Sequence, residues 1–239
     1  LELFNSMEDR GVQPNVITFN AAISACEKSG QWEKALELMN SMKAIGLKPD
    51  VRIFTAAIIA FEKGEQWENA LEIFYSMEDR GVQPDVITFT RVRNAAISAC
   101  AKGEQWEKAV SVLNSMEARG MHPNVISFNA AISACAKGGQ WEEALQLFNS
   151  MEDHGVQPNV ISGVQPSVIT FNAAISACGN GGQWEKALEL FNEDCGVQPN
   201  VITFNACIEA LHTASRFDKA CALMMKARGH GLFSLVWKS

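Results

Sequence analysis

The chain has 239 residues, a formal net charge of −7 and 47% hydrophobic residues. The acidic balance counts against indiscriminate nucleic-acid binding, which relies on a basic surface, but leaves room for a basic track on one face. No stretch approaches the ~20 unbroken apolar residues of a membrane-spanning helix.

Internal repeats replace the usual expectation of one or two globular domains by an array. Val16-Ile17-Thr18-Phe19-Asn20 returns almost letter for letter from Val86, Val125, Val168 and Val201, and Val51-Arg52-Ile53-Phe54-Thr55 is a diverged copy. Residues 1–15 read as the second half of a repeat. The chain therefore looks like a fragment that starts at Leu1 in mid-repeat, with any targeting segment upstream. Residues 16–50 and 51–85 are units of 35 residues, and 86–124 carries four more, Thr90-Arg91-Val92-Arg93. Residues 125–167 hold a regular unit and a duplicated linker, in which 155–162 is echoed by 163–170. Residues 168–200 are two short, and 201–239 hold a degenerate unit and tail.

Each full unit predicts two helices. In residues 16–50, Phe19, Ala22, Ile23 and Cys26 fall at i, i+3, i+4, i+7, the apolar stripe of an amphipathic helix. Gly30 breaks the pattern, and Trp32, Ala35, Leu36, Met39 and Met42 resume it. Gly46 stands where a helix end favours positive φ, and Pro49 stops the chain before the next unit. One hairpin cannot bury both apolar faces alone, so stacked copies predict an all-α, right-handed α-solenoid of about 13 helices. Trp32, Trp67, Trp106, Trp141 and Trp184 share one slot, with Phe217 in the last unit, and are expected to pack within the apolar face.

Two defects carry structural expectations. The insertion adds about one helical turn, to be absorbed by lengthening the first helix upstream; Thr90 and Asn94 then share a face. The two-residue loss in 168–200 turns a helix by about 200°, which predicts a short second helix and a weak junction near residues 193–196.

Cys26, Cys100, Cys135 and Cys178 occupy one slot in different repeats and read as small buried core residues. Neighbouring helix axes ~8–10 Å apart are too far for bridging, which needs Cα atoms within ~7 Å. No CxxC or Cys/His cluster points to zinc, and no cofactor is expected. His122, His154, His212 and His230 are scattered, and no nucleophile elbow, P-loop or deaminase signature is present, so no catalytic residue is assigned.

On a helical wheel, Asn20, Ser24 and Lys28 lie opposite the apolar stripe. The row continues as Thr55, Ile59, Lys63; Asn94, Ser98, Lys102; Asn129, Ser133, Lys137; Asn172, Ser176, Asn180; and Asn205, Glu209, Thr213. Glu33, Glu37, Glu68, Glu72, Glu107, Glu142, Glu185 and Glu189 fall on the second helices, so charge is segregated. Such a polar row is either an ordinary solvated face or a surface for an extended polyanion. Asn is a mediocre helix former, so helix stability does not explain it here. Ile17, Ile87, Ile126, Ile169 and Ile202 lie near the polar side, either to clamp flat groups or to bury themselves between units.

The Phe-Asn start, paired helices, 35-residue period and Gly-x-x-Pro-Asp end of residues 16–50 resemble the pentatricopeptide repeat in its plain (P-type) class, over nearly the whole chain. The resemblance implies a sequence-specific, single-stranded RNA-binding protein of a chloroplast or mitochondrion, reading about one base per repeat. It implies no enzyme activity for these repeats. Base-reading pairs would be Asn20 with Asp50 (uracil), Thr55 with Asp85 (guanine), and Asn94, or Thr90, with Asn124. Asn129 with Asn159 (or Ser167) and Asn172 with Asn200 would take pyrimidines, and Asn205 meets Leu235, which fits no pairing. The isoleucines would pack against bases, a role Arg52 departs from. Lys28, Lys63, Lys102 and Lys137 would meet phosphates. The implied footprint is U-G-(Y or A)-Y-Y, where Y is a pyrimidine. The acidic charge and the near-identity of the repeats fit an alternative, a scaffold for protein–protein interaction.

Overall fold

The structure, a computed structural model, describes residues 4, 6–7, 10–79, 86–117, 122–156, 168–192 and 199–229. Twelve helices and no strand occur among the described residues. They come in pairs along the chain: α1 (Val16–Ser29) and α2 (Trp32–Ala44), α3 (Val51–Lys63) and α4 (Trp67–Asp79), α5 (Val86–Lys102) and α6 (Trp106–Glu117). Then follow α7 (Val125–Lys137) and α8 (Trp141–Asp153), α9 (Val168–Asn180) and α10 (Trp184–Asn192), α11 (Val201–Thr213) and α12 (Phe217–Gly229). The further helix expected in residues 1–15 falls mostly outside the described residues.

Two compact units result, residues 1–103 with α1–α5 and residues 104–239 with α6–α12. Within the first, α1 packs on α2 and α3, and α3 packs on α4 and α5. Within the second, first helices α7, α9 and α11 stack in turn, each against its own second helix. Each unit is thus a stack of helical hairpins, the α-solenoid arrangement.

The first helices start where the chain supplies a cap. Asn15 Oδ1 accepts the Thr18 N–H at 3.1 Å, while the Asn15 N–H donates to Thr18 Oγ1 at 3.4 Å. Asn124 with Ser127 and Asn200 with Thr203 form the same reciprocal pair. Each satisfies N–H groups that a helix start leaves orphaned, and such a cap contributes about 1 kcal/mol.

The core follows the predicted stripe. Phe19, Ile23 and Cys26 of α1 are fully buried, as are Phe128, Ile132 and Cys135 of α7. Burial pushes the Cys135 thiol up to about 12 and the Cys178 thiol up to about 11. In α2 the buried residue is Leu38, not the expected Leu36, which is half-buried. The insertion appears as one extra turn: α5 has 17 residues where α3, α7 and α9 have 13. α10 is described over 9 residues, Trp184–Asn192, and the stretch after it, where the helix end and the weak junction are expected, lies outside the described residues.

The tryptophans depart from expectation. Trp32, Trp67, Trp106, Trp141 and Trp184 are half-buried, and Phe217 is exposed. Trp32, Trp67, Trp106 and Trp141 each lie against a glycine at the turn of the following repeat. A Cβ built on Gly64 would stand 2.2 Å from Trp32 Cδ1, and on Gly181 2.2 Å from Trp141 Cδ1. Glycine is needed here for space. The indole thus joins one repeat to the next instead of filling a hairpin's own core.

Candidate nucleic-acid interface

The candidate interface is carried by the first helices. Within each unit the slot beginning with Asn20 lies toward the seam between successive first helices, and it is less solvated than a wheel suggests. Asn20, Asn94, Asn129 and Asn205 are half-buried, while Thr55 and Asn172 are buried. Neighbouring helices pack closely enough to cover a side chain pointing between them. Asn20 Oδ1 accepts weakly from Ser24 Oγ at 3.5 Å, and Thr55 Oγ1 donates to the Val51 carbonyl at 2.7 Å. Asn129 Oδ1 accepts from Thr170 Oγ1 of the next repeat at 2.6 Å. Asn172 Oδ1 and Asn205 Oδ1 are buried with no hydrogen-bond partner among the described residues.

The repeat-closing residues double as caps. Asp50 Oδ1 accepts the Ile53 N–H at 3.0 Å, and Asn124 and Asn200 cap α7 and α11. Capping alone favours Asp or Asn at this slot, so residue type there is not by itself a sign of base reading. Asp85 and Asn159 lie outside the described residues.

The isoleucines are exposed. Ile17 is 78% exposed, and Ile126, Ile169 and Ile202 are each above 60%. Of the two sequence readings, burial between units is excluded for these four. The Ile87 side chain lies outside what is described. The exposed isoleucine thus recurs in four repeats, on the polar face of the first helix.

The lysine row has partners that its spacing did not announce. Lys63 Nζ donates to the Glu27 carbonyl of the preceding first helix at 2.7 Å. Lys102 Nζ donates to the Glu62 carbonyl at 3.0 Å and pairs with Glu62 Oε1 at 2.7 Å. Glu62 also accepts from Ser98 Oγ at 2.9 Å. Asn180 takes over the same role, donating to the Ala136 carbonyl at 2.9 Å. A cation beside the last carbonyls of a helix is favourable because those carbonyls lack partners and carry the negative end of the helix dipole. Lys28 and Lys137 are exposed. Two acidic side chains, Glu27 and Glu62, therefore enter the seam, which the segregation of charge by helix did not anticipate.

In the first unit these residues surround a groove of about 700 Å³, lined by Ile17, Asn20, Ser24, Arg52, Thr55 and Arg91 among others. Two successive candidate readers, Asn20 and Thr55, thus open into one space. Among the described residues no group of His, Cys, Asp and Glu is placed to hold a metal ion.

Family models agree with this architecture. The PPR repeat family matches residues 14–63, 123–162 and 166–213, more than half of the chain. The chain belongs to the pentatricopeptide repeat family. A pentatricopeptide repeat domain model also matches residues 72–138, and a PPR repeat model matches residues 52–82. Among solved structures, the pentatricopeptide repeat protein PPR10 from maize matches with 28% identity and a TM-score of 0.66, over 96% of this chain. This chain spans 32% of that protein's chain. The structure of PPR10 with an 18-nt psaJ RNA element matches with 20% identity, a TM-score of 0.57, and 97% and 37% of the two chains. The PPR domain of Arabidopsis thaliana protein-only RNase P 1, solved with tRNA, matches at 16% identity and a TM-score of 0.57, over 71% of this chain and 83% of that one. No curated protein sequence matches.

Proposed function

We propose that this stretch of repeats binds single-stranded RNA along the seam of its first helices, about one base per repeat. The observation that carries the reading is the row Ile17, Ile126, Ile169 and Ile202, exposed beside the amides of Asn20, Asn129, Asn172 and Asn205. A flat base can cover such an isoleucine and present its edge to the neighbouring amide. The buried acceptors Asn172 Oδ1 and Asn205 Oδ1 favour this, since a base N–H would relieve the cost of an unmet buried polar group. The relatives solved with an RNA element and with tRNA support the class of ligand. By family, the site of action is a chloroplast or mitochondrion, in RNA processing, stability or translation, with the repeats acting as a binder and not an enzyme.

Capping explains Asp50 equally well, so the discriminating residue is Asn20, which caps nothing. Filter binding of a panel of short RNAs built on U-G-(Y or A)-Y-Y is expected to rank that motif first. Asn20→Thr is expected to move the preference at one position from U toward G. Equal affinity for every sequence, together with a ribonuclease-insensitive protein partner, would overturn the reading in favour of a scaffold.

A further inference from the structure

The insertion places a second arginine over the groove of the first unit. Arg52 stands in the slot that Ile17 and its copies fill elsewhere, and it lines the groove together with Arg91. Arg91 comes from the four inserted residues. Its guanidinium lies 3.9 Å from Glu27 of α1. Since α3 stands between α1 and α5, that pair crosses the groove above Thr55 and Ala56. The Arg91 side chain is 60% exposed and its contact with Glu27, itself 23% exposed, is long at 3.9 Å, so water screens the arginine side of the pair and leaves its guanidinium open to a competing anion. Lys63 adds a positive charge beside Glu27. Among the described residues that line the groove, two cations, Arg52 and Arg91, meet one carboxylate, Glu27. This is the reverse of the balance over the whole chain.

We propose that Arg52 and Arg91 form a phosphate-binding pair that holds the RNA backbone at the second repeat, and that Glu27 is the internal anion which the phosphate displaces from Arg91. Guanidinium groups suit this role because their fork of donors matches phosphate oxygens, and their planes also stack on bases. The inference rests on the RNA-binding reading above. It adds that the second repeat holds its nucleotide by charge where the others use an apolar clamp.

The test is fluorescence anisotropy of a labelled single-stranded RNA carrying U-G-(Y or A)-Y-Y, from about 50 to about 200 mM KCl, with the whole chain. Arg91→Gln and Arg52→Ile are each expected to reduce the log–log salt slope by about 0.7, so that affinity falls roughly threefold less across that range. Lys34→Gln, which removes the same charge from an exposed position on α2, is expected to leave the slope unchanged. Glu27→Gln is expected to tighten binding. The same slope in Arg91→Gln, Arg52→Ile and Lys34→Gln, with sequence preference intact, overturns this inference and leaves the RNA reading standing. A wild-type chain that binds no RNA overturns the reading itself. Binding of an acidic peptide that depends on Arg91 while RNA affinity does not also overturns the phosphate assignment.

Discussion

Two kinds of junction between successive repeats solve one packing problem with different chemistry. Between α8 and α9, Phe148 meets Phe171 edge to face, with ring centroids 5.0 Å apart and planes at 74°. Phe191 and Phe204 repeat this between α10 and α11 at 5.1 Å. Between α4 and α5 the corresponding ring, Phe74, faces the guanidinium of Arg93 at 5.4 Å, and Arg93 rests over Phe89 at 4.3 Å. Arg93 is fully buried. The insertion explains it: counting back from Asn94 puts Arg93 in the slot of Phe19, while counting forward from Val86 puts Phe89 there. Four residues turn a helix by about 400°, only ~40° past a full turn, so both residues face the core. A planar guanidinium between two rings fills the extra layer as an aromatic would. The comparison teaches why four extra residues lengthen α5 by one turn and leave its core face in register.

The largest expected effect breaks the aromatic junction. Phe171→Ala is expected to cost about 3–5 kcal/mol, measured by urea unfolding, from lost burial and the cavity left against Phe148. The buried arginine tests the other kind of junction. Arg93→Met keeps most of the volume but removes the guanidinium that lies between Phe74 and Phe89, so a loss of about 2 kcal/mol is expected. Unchanged stability would show that the stacked cation adds nothing that an apolar side chain of its size does not.

A third change tests the contact that the tryptophans make. A methyl at Gly64 meets Trp32 at ring carbons, so Gly64→Ala forces the indole off the turn. The expected cost is about 1–3 kcal/mol, with a red-shifted Trp fluorescence maximum as the ring gains water. Unchanged emission would mean that the ring and turn part without exposing either.

The fold was legible in the sequence because its signals are local. Phe19, Ala22, Ile23 and Cys26 declare a buried stripe by spacing alone, and the insertion declares its extra turn by length. The site was only half legible, because its contacts run between repeats. Lys63 is 36 residues from the carbonyl it caps, and Lys102 is 40 from its own. A wheel drawn for one helix cannot show that the next helix covers Asn172, or that Glu62 reaches Ser98 and Lys102. Two further features are written in the sequence as spacings. Counting back from Asn94 puts Arg93 in a core slot, and Gly64, Gly103, Gly138 and Gly181 each follow a tryptophan one repeat upstream.

The smallest expected effect sharpens the contrast at the turn inside a hairpin. Glu65 and Glu104 hold a left-handed backbone at φ 58 in their turns, where other repeats place Gly30 at φ 66, Gly139 at φ 68 and Gly182 at φ 70. A side chain in that region costs about 1 kcal/mol in steric strain that glycine avoids, part of it offset by glycine's greater freedom when unfolded. Glu65→Gly is therefore expected to stabilise the chain by roughly 0.5–1 kcal/mol, and Gly139→Glu to destabilise it by a similar amount. The change should move the urea midpoint and leave the slope alone, since the surface exposed on unfolding is unaltered. Glu65 is exposed and does not line the groove, so RNA affinity should be the same in Glu65→Gly as in the parent. A gain in stability with a change in affinity would mean that the turn sets the angle between α3 and α4, and through it the width of the groove.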